Sequence, residues 1–219
     1  VINSEYNKIG EGNCAKLEGE AELIGRIVAY YIRCVLTHDE QLTPFTYIGS
    51  EIESQFKWDM GNGLVVNYKQ FIDRMDRLSS ADGDVLRIVD YKTGSDKTDI
   101  KGLDDLFESP GENSPRRKAI LQLMLYCNAY AYYKDYKGPI QPVIYSVRNA
   151  TMYRDKKFEL TCAGKPISDY HDINEGFMER IRNIVCEILD DKTPFTQTDD
   201  IRHCLYCPFS EACGRSGKA

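Results

Sequence analysis

The sequence predicts an α/β domain in which a mixed β-sheet of about five strands is flanked by helices. Three observations carry that expectation. Apolar residues recur at helical spacing in three separate stretches, runs rich in Val, Ile and Tyr stand between them, and turn-forming residues punctuate the joins.

From Glu20 to Leu36, the residues Leu23, Ile24, Ile27, Val28, Tyr31 and Val35 mark an amphipathic helix. Pro44 ends it. Phe45 to Trp58 reads as extended, and Gly61-Asn62-Gly63 supplies the turn into a second strand, Leu64 to Asp73. Ser79 to Asp84 has turn composition and leads into Val85 to Lys92, completing an antiparallel meander. Gly94 to Pro115 is polar and broken by Gly and Pro, a long mobile loop of the kind that often covers a site. Ala119 to Tyr133 is apolar nearly all round, so it is a helix buried on most sides. Ile140 to Val147 and Met152 to Leu160 read as one or two further strands around Arg148-Asn149-Ala150. Ile173, Phe177, Ile181, Val185 and Ile188 then give an amphipathic helix, Ile173 to Leu189, packed on the sheet.

With 219 residues, 42% of them hydrophobic, the chain is long enough to bury a substantial core. We divide it into one domain over 1–195 and a cysteine-bearing tail over 196–219 that packs on it. No run approaches the ~20 apolar residues of a membrane span, and the N-terminus carries no signal pattern. The expectation is a cytoplasmic protein with no membrane partner. Val1 stands where a native chain normally carries Met, so the expectation is a fragment of something longer. Twenty-eight basic and 34 acidic residues leave a net charge of -6, so any contact with nucleic acid has to be local.

Asp90 and Lys92 lie two residues apart in a strand, which puts both side chains on one face. If the preceding strand pairs through the 79–84 turn, Asp73 at its end comes near Asp90. Two adjacent carboxylates repel unless a cation sits between them, and hard oxygen ligands favour Mg²⁺ or Mn²⁺. An ammonium beside them orients a water or neutralises charge on a phosphate. Taken alone, however, Asp-Tyr-Lys at a strand end is more often a solvated tip. Asp73-Arg74 is equally ordinary by itself, and Gln122 and Tyr126, one helical turn apart, read first as polar residues on a core helix.

Together the runs are specific. Ile72-Asp73-Arg74-Met75-Asp76 followed by Ile88-Val89-Asp90-Tyr91-Lys92-Thr93-Gly94 resembles the GxIDRxD…DYKTG signature of RecB-like nucleases of the PD-(D/E)XK superfamily, including AddB-type helicase-nuclease subunits and CRISPR-associated relatives. Gln122-Leu123-Met124-Leu125-Tyr126 is similar to the family's QxxxY motif. The resemblance implies a restriction-endonuclease-like core and a divalent-metal-dependent DNA nuclease, a module of a helicase-linked repair protein. It makes Asp73 and Asp90 metal ligands together with the Tyr91 carbonyl, and Lys92 the catalytic lysine. Gln122 and Tyr126 position substrate or metal, Glu51 has a supporting role, and Arg116, Arg117 and Lys118 meet the phosphate backbone. Gln70 stands where the signature has Gly, and none of His38, His171 and His203 lies in the upstream GxxxH pattern that supplies a further metal ligand in these enzymes. A nuclease-like domain that binds DNA or a partner without cutting is the alternative.

Cys204, Cys207 and Cys213 have C-x2-C-x5-C spacing, whereas the other cysteines are scattered and read as buried thiols. The triplet resembles the one that ligates a [4Fe-4S] cluster with a distant N-terminal cysteine in AddB-like nucleases, for which Cys14 is the upstream candidate here. Zn²⁺ held with His203 or Cys14, or three thiols without metal, are the competing readings.

Overall fold

A computed structural model describes residues 17–61, 63–80, 83–94, 97–107, 117–147 and 158–215. Cys14, Asn62, Arg116, the 148–150 turn and most of the strand expected from Met152 lie outside the described residues. Helix α1 (Gly19–Gln41) leads into β1 (Phe45–Gly61), β2 (Leu64–Ser80) and β3 (Gly83–Lys92). After the short β4 (Asp99–Ile100) and a 3-10 turn at Leu103–Leu106 come α2 (Lys118–Tyr133) and β5 (Ile140–Ser146). The two-residue strands β6 (Thr161–Cys162) and β7 (Lys165–Pro166) precede α3 (His171–Leu189).

The main sheet has the order β1-β2-β3-β5, and a second small sheet has the order β4-β6-β7. β1, β2 and β3 pair antiparallel, while β3 and β5 pair parallel, with α2 in the crossover between them. This mixed sheet with helices about it is consistent with the restriction-endonuclease-like core. Among the described residues the main sheet has four strands, and Glu159, at the end of the further strand expected from Met152, makes an isolated bridge to Val143.

Leu86 to Asp90 of β3 are buried without a break, because both faces of that strand are covered. On one face Leu86 and Ile88 meet Ile120, Leu123, Met124 and Cys127 of α2, and Phe177 and Ile181 of α3 join the same cluster. On the other face Val89, Val143 and Tyr145 pack against Tyr31, Cys34 and Val35 of α1. α2 is buried on most sides, as its all-round apolar character predicts.

Three details differ from the sequence expectation. β1 and β2 are each 17 residues long, so Asp73 lies inside a strand and does not end one. The 94–115 segment is not wholly loop, since β4 and the 3-10 turn fall within it. The expected apolar stripe of α1 is only partly covered: Ile24, Tyr31 and Val35 are half-buried, whereas Leu23, Ile27 and Val28 are exposed. A helix of 23 residues runs about 34 Å, and the 7-residue β5 about 23 Å, so the helix outreaches the strand it covers. Among the described residues, no helix is long and apolar enough to cross a membrane.

Candidate active site

The long β1–β2 hairpin alternates cleanly from Ile52 to Met60 and from Val65 to Ile72, with one face half-buried or buried and the other exposed. The alternation breaks at the level of Glu51 and Asp73. Glu51 has φ of 50, a left-handed conformation uncommon for a residue with a side chain, and the pairs Ser50↔Arg74 and Ile52↔Ile72 place it across from Asp73. On the other side, pairing of β2 with β3 stops at Arg74↔Val89. Beyond that pair the Asp73 side chain takes over the ladder, accepting a hydrogen bond from the Tyr91 amide at 2.8 Å. The next residues in this register are Asp73 and Asp90. The 79–84 turn thus aligns the two carboxylates by setting the register, although the strand carrying Asp73 runs on for seven more residues to Ser80.

Asp90 is 1% exposed and lies beside the half-buried Asp73. Lys92 Nζ is 2.9 Å from Asp90 Oδ1 and 2.7 Å from Oδ2. The same ammonium donates to Gln122 Oε1 of α2 at 3.2 Å. Because a lysine only donates, the Gln122 oxygen must face it, which turns Nε2 toward the Tyr126 hydroxyl, to which it donates. Burial pushes the Tyr126 phenol above its usual range; the Gln122 bond and Lys92 work against that, while Asp90 and Asp73 reinforce it. The phenol therefore stays protonated at neutral pH and lies within the field of both carboxylates. Asp73, Asp90, Lys92, Gln122 and Tyr126 thus converge at one place.

The donor set fits a hard divalent cation. Two carboxylates stand with one ammonium, which contacts Asp90, and this leaves excess negative charge at a largely buried strand end. No group of three His, Cys, Asp or Glu that could hold a metal occurs among the described residues. Mg²⁺, however, is commonly held by one or two carboxylates and fills its remaining positions with water and substrate phosphate.

Other expected residues stand apart. Glu51 is level with Asp73 but its side chain is exposed. The Tyr91 side chain faces the α1 side, where its hydroxyl accepts from Arg74 at 3.1 Å. Arg117 is committed to Asp105, with Nη2 3.0 Å from the carboxylate, and Lys118 is exposed. His38 lies edge-on to Tyr145 and Phe158, at ring distances of 5.4 and 4.6 Å, away from the carboxylates. Cys204 and Cys207 are half-buried and Cys213 exposed, with the Cys207 amide bonded to the Cys204 carbonyl at 3.2 Å. The three thiols do not form a metal-ready group.

Sequence reasoning missed the support behind the site. Asp76, fully buried, accepts from both Arg74 and Arg87, and Arg74 reaches on to Asp39 of α1. The Tyr145 hydroxyl donates to Asp39 at 2.7 Å, and the Phe45 ring lies under both guanidinium groups, 5.1 and 5.9 Å away. Arg74 and Asp76 belong to the signature run, but nothing local marks Asp39 or Arg87 as their partners.

A family model described as the PD-(D/E)XK nuclease superfamily matches residues 11–214. No curated protein matches the chain.

Proposed function

The chain belongs to the PD-(D/E)XK nuclease superfamily, and from that premise we propose that it hydrolyses DNA phosphodiester bonds with a divalent metal held at Asp73 and Asp90. The observation that carries this reading is the convergence of those two carboxylates with Lys92, Gln122 and Tyr126 at the point where β2 and β3 part. A bound Mg²⁺ or Mn²⁺ supplies charge stabilisation for the phosphate and makes a usable nucleophile of water near neutral pH. The chain's own groups do the rest. Asp73 and Asp90 bind the cation, with the Tyr91 carbonyl as a third oxygen. Lys92 orients the attacking water or offsets charge growing on the phosphate, and Gln122 fixes the lysine from the α2 side. Tyr126, kept protonated, offers a hydroxyl to substrate or water. Arg116, Arg117 and Lys118 meet the DNA backbone, Arg117 by exchanging its Asp105 partner for phosphate, and Glu51 supports from β1. Motif order supports a RecB- or AddB-like module acting beside a helicase. For Cys204, Cys207 and Cys213 the iron-sulfur reading, with Cys14, rests on the resemblance to AddB-like nucleases, and the zinc reading on the spacing; metal analysis and the visible spectrum of an anaerobic preparation separate them.

One observation favours a non-cutting, DNA- or partner-binding domain: among the described residues, no histidine stands with Asp73 and Asp90. A cleavage assay with Mg²⁺ or Mn²⁺ separates the readings. The wild type should degrade DNA and lose activity with chelator, and Asp90→Ala and Lys92→Ala should each fall by about 10²- to 10³-fold. Equal activity in all three proteins refutes the site assignment, and DNA binding without any cleavage selects the second reading.

A further inference from the structure

A cavity of about 850 Å³ lies between the β1–β2 hairpin, the C-terminal half of α2 and α3, lined by none of the five residues gathered at the strand end. That volume falls within the range of ~300–1,000 Å³ typical of ligand pockets. Its lining is aromatic and amide-bearing, with Trp58 from β1, Tyr132 and Tyr133 from α2, Asn128 from α2 and Asn174 from α3. Asn128 is 3% exposed, and the amide oxygens of both Asn128 and Asn174 are buried with no hydrogen-bond partner among the described residues. A buried, unpaired acceptor is costly, so two on one cavity call for a ligand that brings N–H donors. The terminal torsion of Asn is soft enough to turn either oxygen toward such a donor.

The rings narrow the class. One face of Tyr133 is taken by Phe56, stacked at 3.7 Å. Trp58 and Tyr132 make no ring contact with another aromatic among the described residues. Tyr132 is 71% exposed and has a face to offer, while Trp58 is half-buried, packed in part on the core, and lines the cavity with the rest of its ring. The rim carries Lys57 and Arg182 against Asp59, Glu175 and Glu179, two cations facing three carboxylates, which does not make a phosphate site. A flat, donor-bearing, uncharged group fits both features. Adenine answers an Asn amide through its N6 amino group and N7, and cytosine offers an N4 amino group; unpaired bases stack on Trp and Tyr.

We propose that this cavity takes an unpaired nucleobase bearing an exocyclic amino group, stacked against Trp58 or Tyr132 and donating to Asn128 and Asn174. The base reaches it either on a free nucleotide or on a single strand threaded past the hairpin. The strand-borne form rests on the nuclease reading, and base binding itself does not.

Trp58 is the only tryptophan of the chain, so its fluorescence reports on this cavity alone. The test is a titration in chelator, where no cleavage occurs, using dAMP, dIMP, a short oligodeoxyadenylate and an arginine-rich peptide. We expect saturable quenching by dAMP and weaker quenching by dIMP, in which a carbonyl replaces the amino group. Asn128→Leu and Tyr132→Ala should each raise the apparent Kd by about tenfold. Tyr132 is exposed enough that its variant folds even if the buried Asn128 variant does not. Quenching by dAMP and not by the oligomer assigns the site to free nucleotides; quenching by the oligomer, with or without dAMP, assigns it to a strand. Each supports the proposal. Equal quenching by dAMP and dIMP where both quench, response to the peptide in place of nucleotides, or no saturable quenching by any nucleotide or oligomer overturns it. Asp90→Asn should lose cleavage while leaving dAMP quenching intact, which keeps failure of the nuclease reading distinct from failure of this one.

Discussion

Lys92 sits between two acceptors, Asp90 and Gln122, while Asp73 is tied to the Tyr91 amide, so single substitutions here have separable consequences. In Asp73→Asn the side-chain oxygen still accepts from Tyr91, which preserves the ladder, but the ionised ligand is gone. Thermal stability should stay within about 3 °C of wild type while single-turnover cleavage falls by about a hundredfold or more; parallel loss of both would mean that Asp73 acts only structurally. His38 allows a prediction of another kind. Burial against Tyr145 and Phe158 lowers its pKa below 6.5, with Arg87 and Arg74 adding to that and Asp39 opposing it. Its depressed folded value means that the unfolded chain binds the proton more readily. The stabilisation is complete above pH 6.5 and is lost as pH falls from there through the folded pKa. The denaturant midpoint should therefore drop between pH 7.5 and about 5.5, and His38→Phe should flatten that drop.

Between the elements, the decisive contact is the buried chain from Asp39 of α1 through Arg74 and Asp76 of β2 to Arg87 of β3. Removing Asp76 leaves two guanidinium groups in a site where their side chains are 9% and 3% exposed, so Asp76→Ala should cost about 3–5 kcal/mol in chemical denaturation. A cost below about 1 kcal/mol would show that Asp39 and Phe45 suffice without it. Asp39→Ala should cost less, since Arg74 keeps Asp76. This network also marks where the sequence stops being legible. The hairpin turn at Gly61 to Gly63, the buried α2 and the co-facial Asp90 and Lys92 follow from residue chemistry within a few positions. The pairing of Asp39 with Arg74 spans 35 residues and leaves no local pattern. β4, β6 and β7 have two residues each, too few for a period to show. Asp73 was expected near Asp90 because its strand was expected to end there. The strand runs on to Ser80, and the two come together because the β2–β3 register ends at Arg74↔Val89, one step short of Asp73 and Asp90.

For the molecule as a whole, the main core is built without the described residues that follow α3. The main hydrophobic cluster draws on residues from Ile52 to Val185 and on none beyond. Past α3 the large apolar side chains lie in solvent, with Phe195 at 91% and Tyr206 at 96% exposure. What orders that segment is local and polar: Asp200 accepts from the Arg202 amide and side chain, and those bonds hold its carboxyl at about 2. Bonds of this exposed kind contribute little to global stability. A chain truncated after Asp191 should therefore melt within about 3 °C of the metal-free full chain, and should retain the ratio of wild-type to Asp90→Asn cleavage. A drop of about 10 °C or more would mean that the tail packs on the domain even without metal. The cysteine triplet gives the comparison its second arm. If Cys204, Cys207 and Cys213 bind iron-sulfur or zinc with a ligand from elsewhere in the chain, the loaded full-length protein should melt above the truncated one. The excess should vanish on chelation and in Cys207→Ser, because a cross-link between distant segments stabilises by restricting the unfolded chain. If loading leaves the melting temperature unchanged, the tail neither staples the domain nor supports the strand end where Asp73 and Asp90 meet.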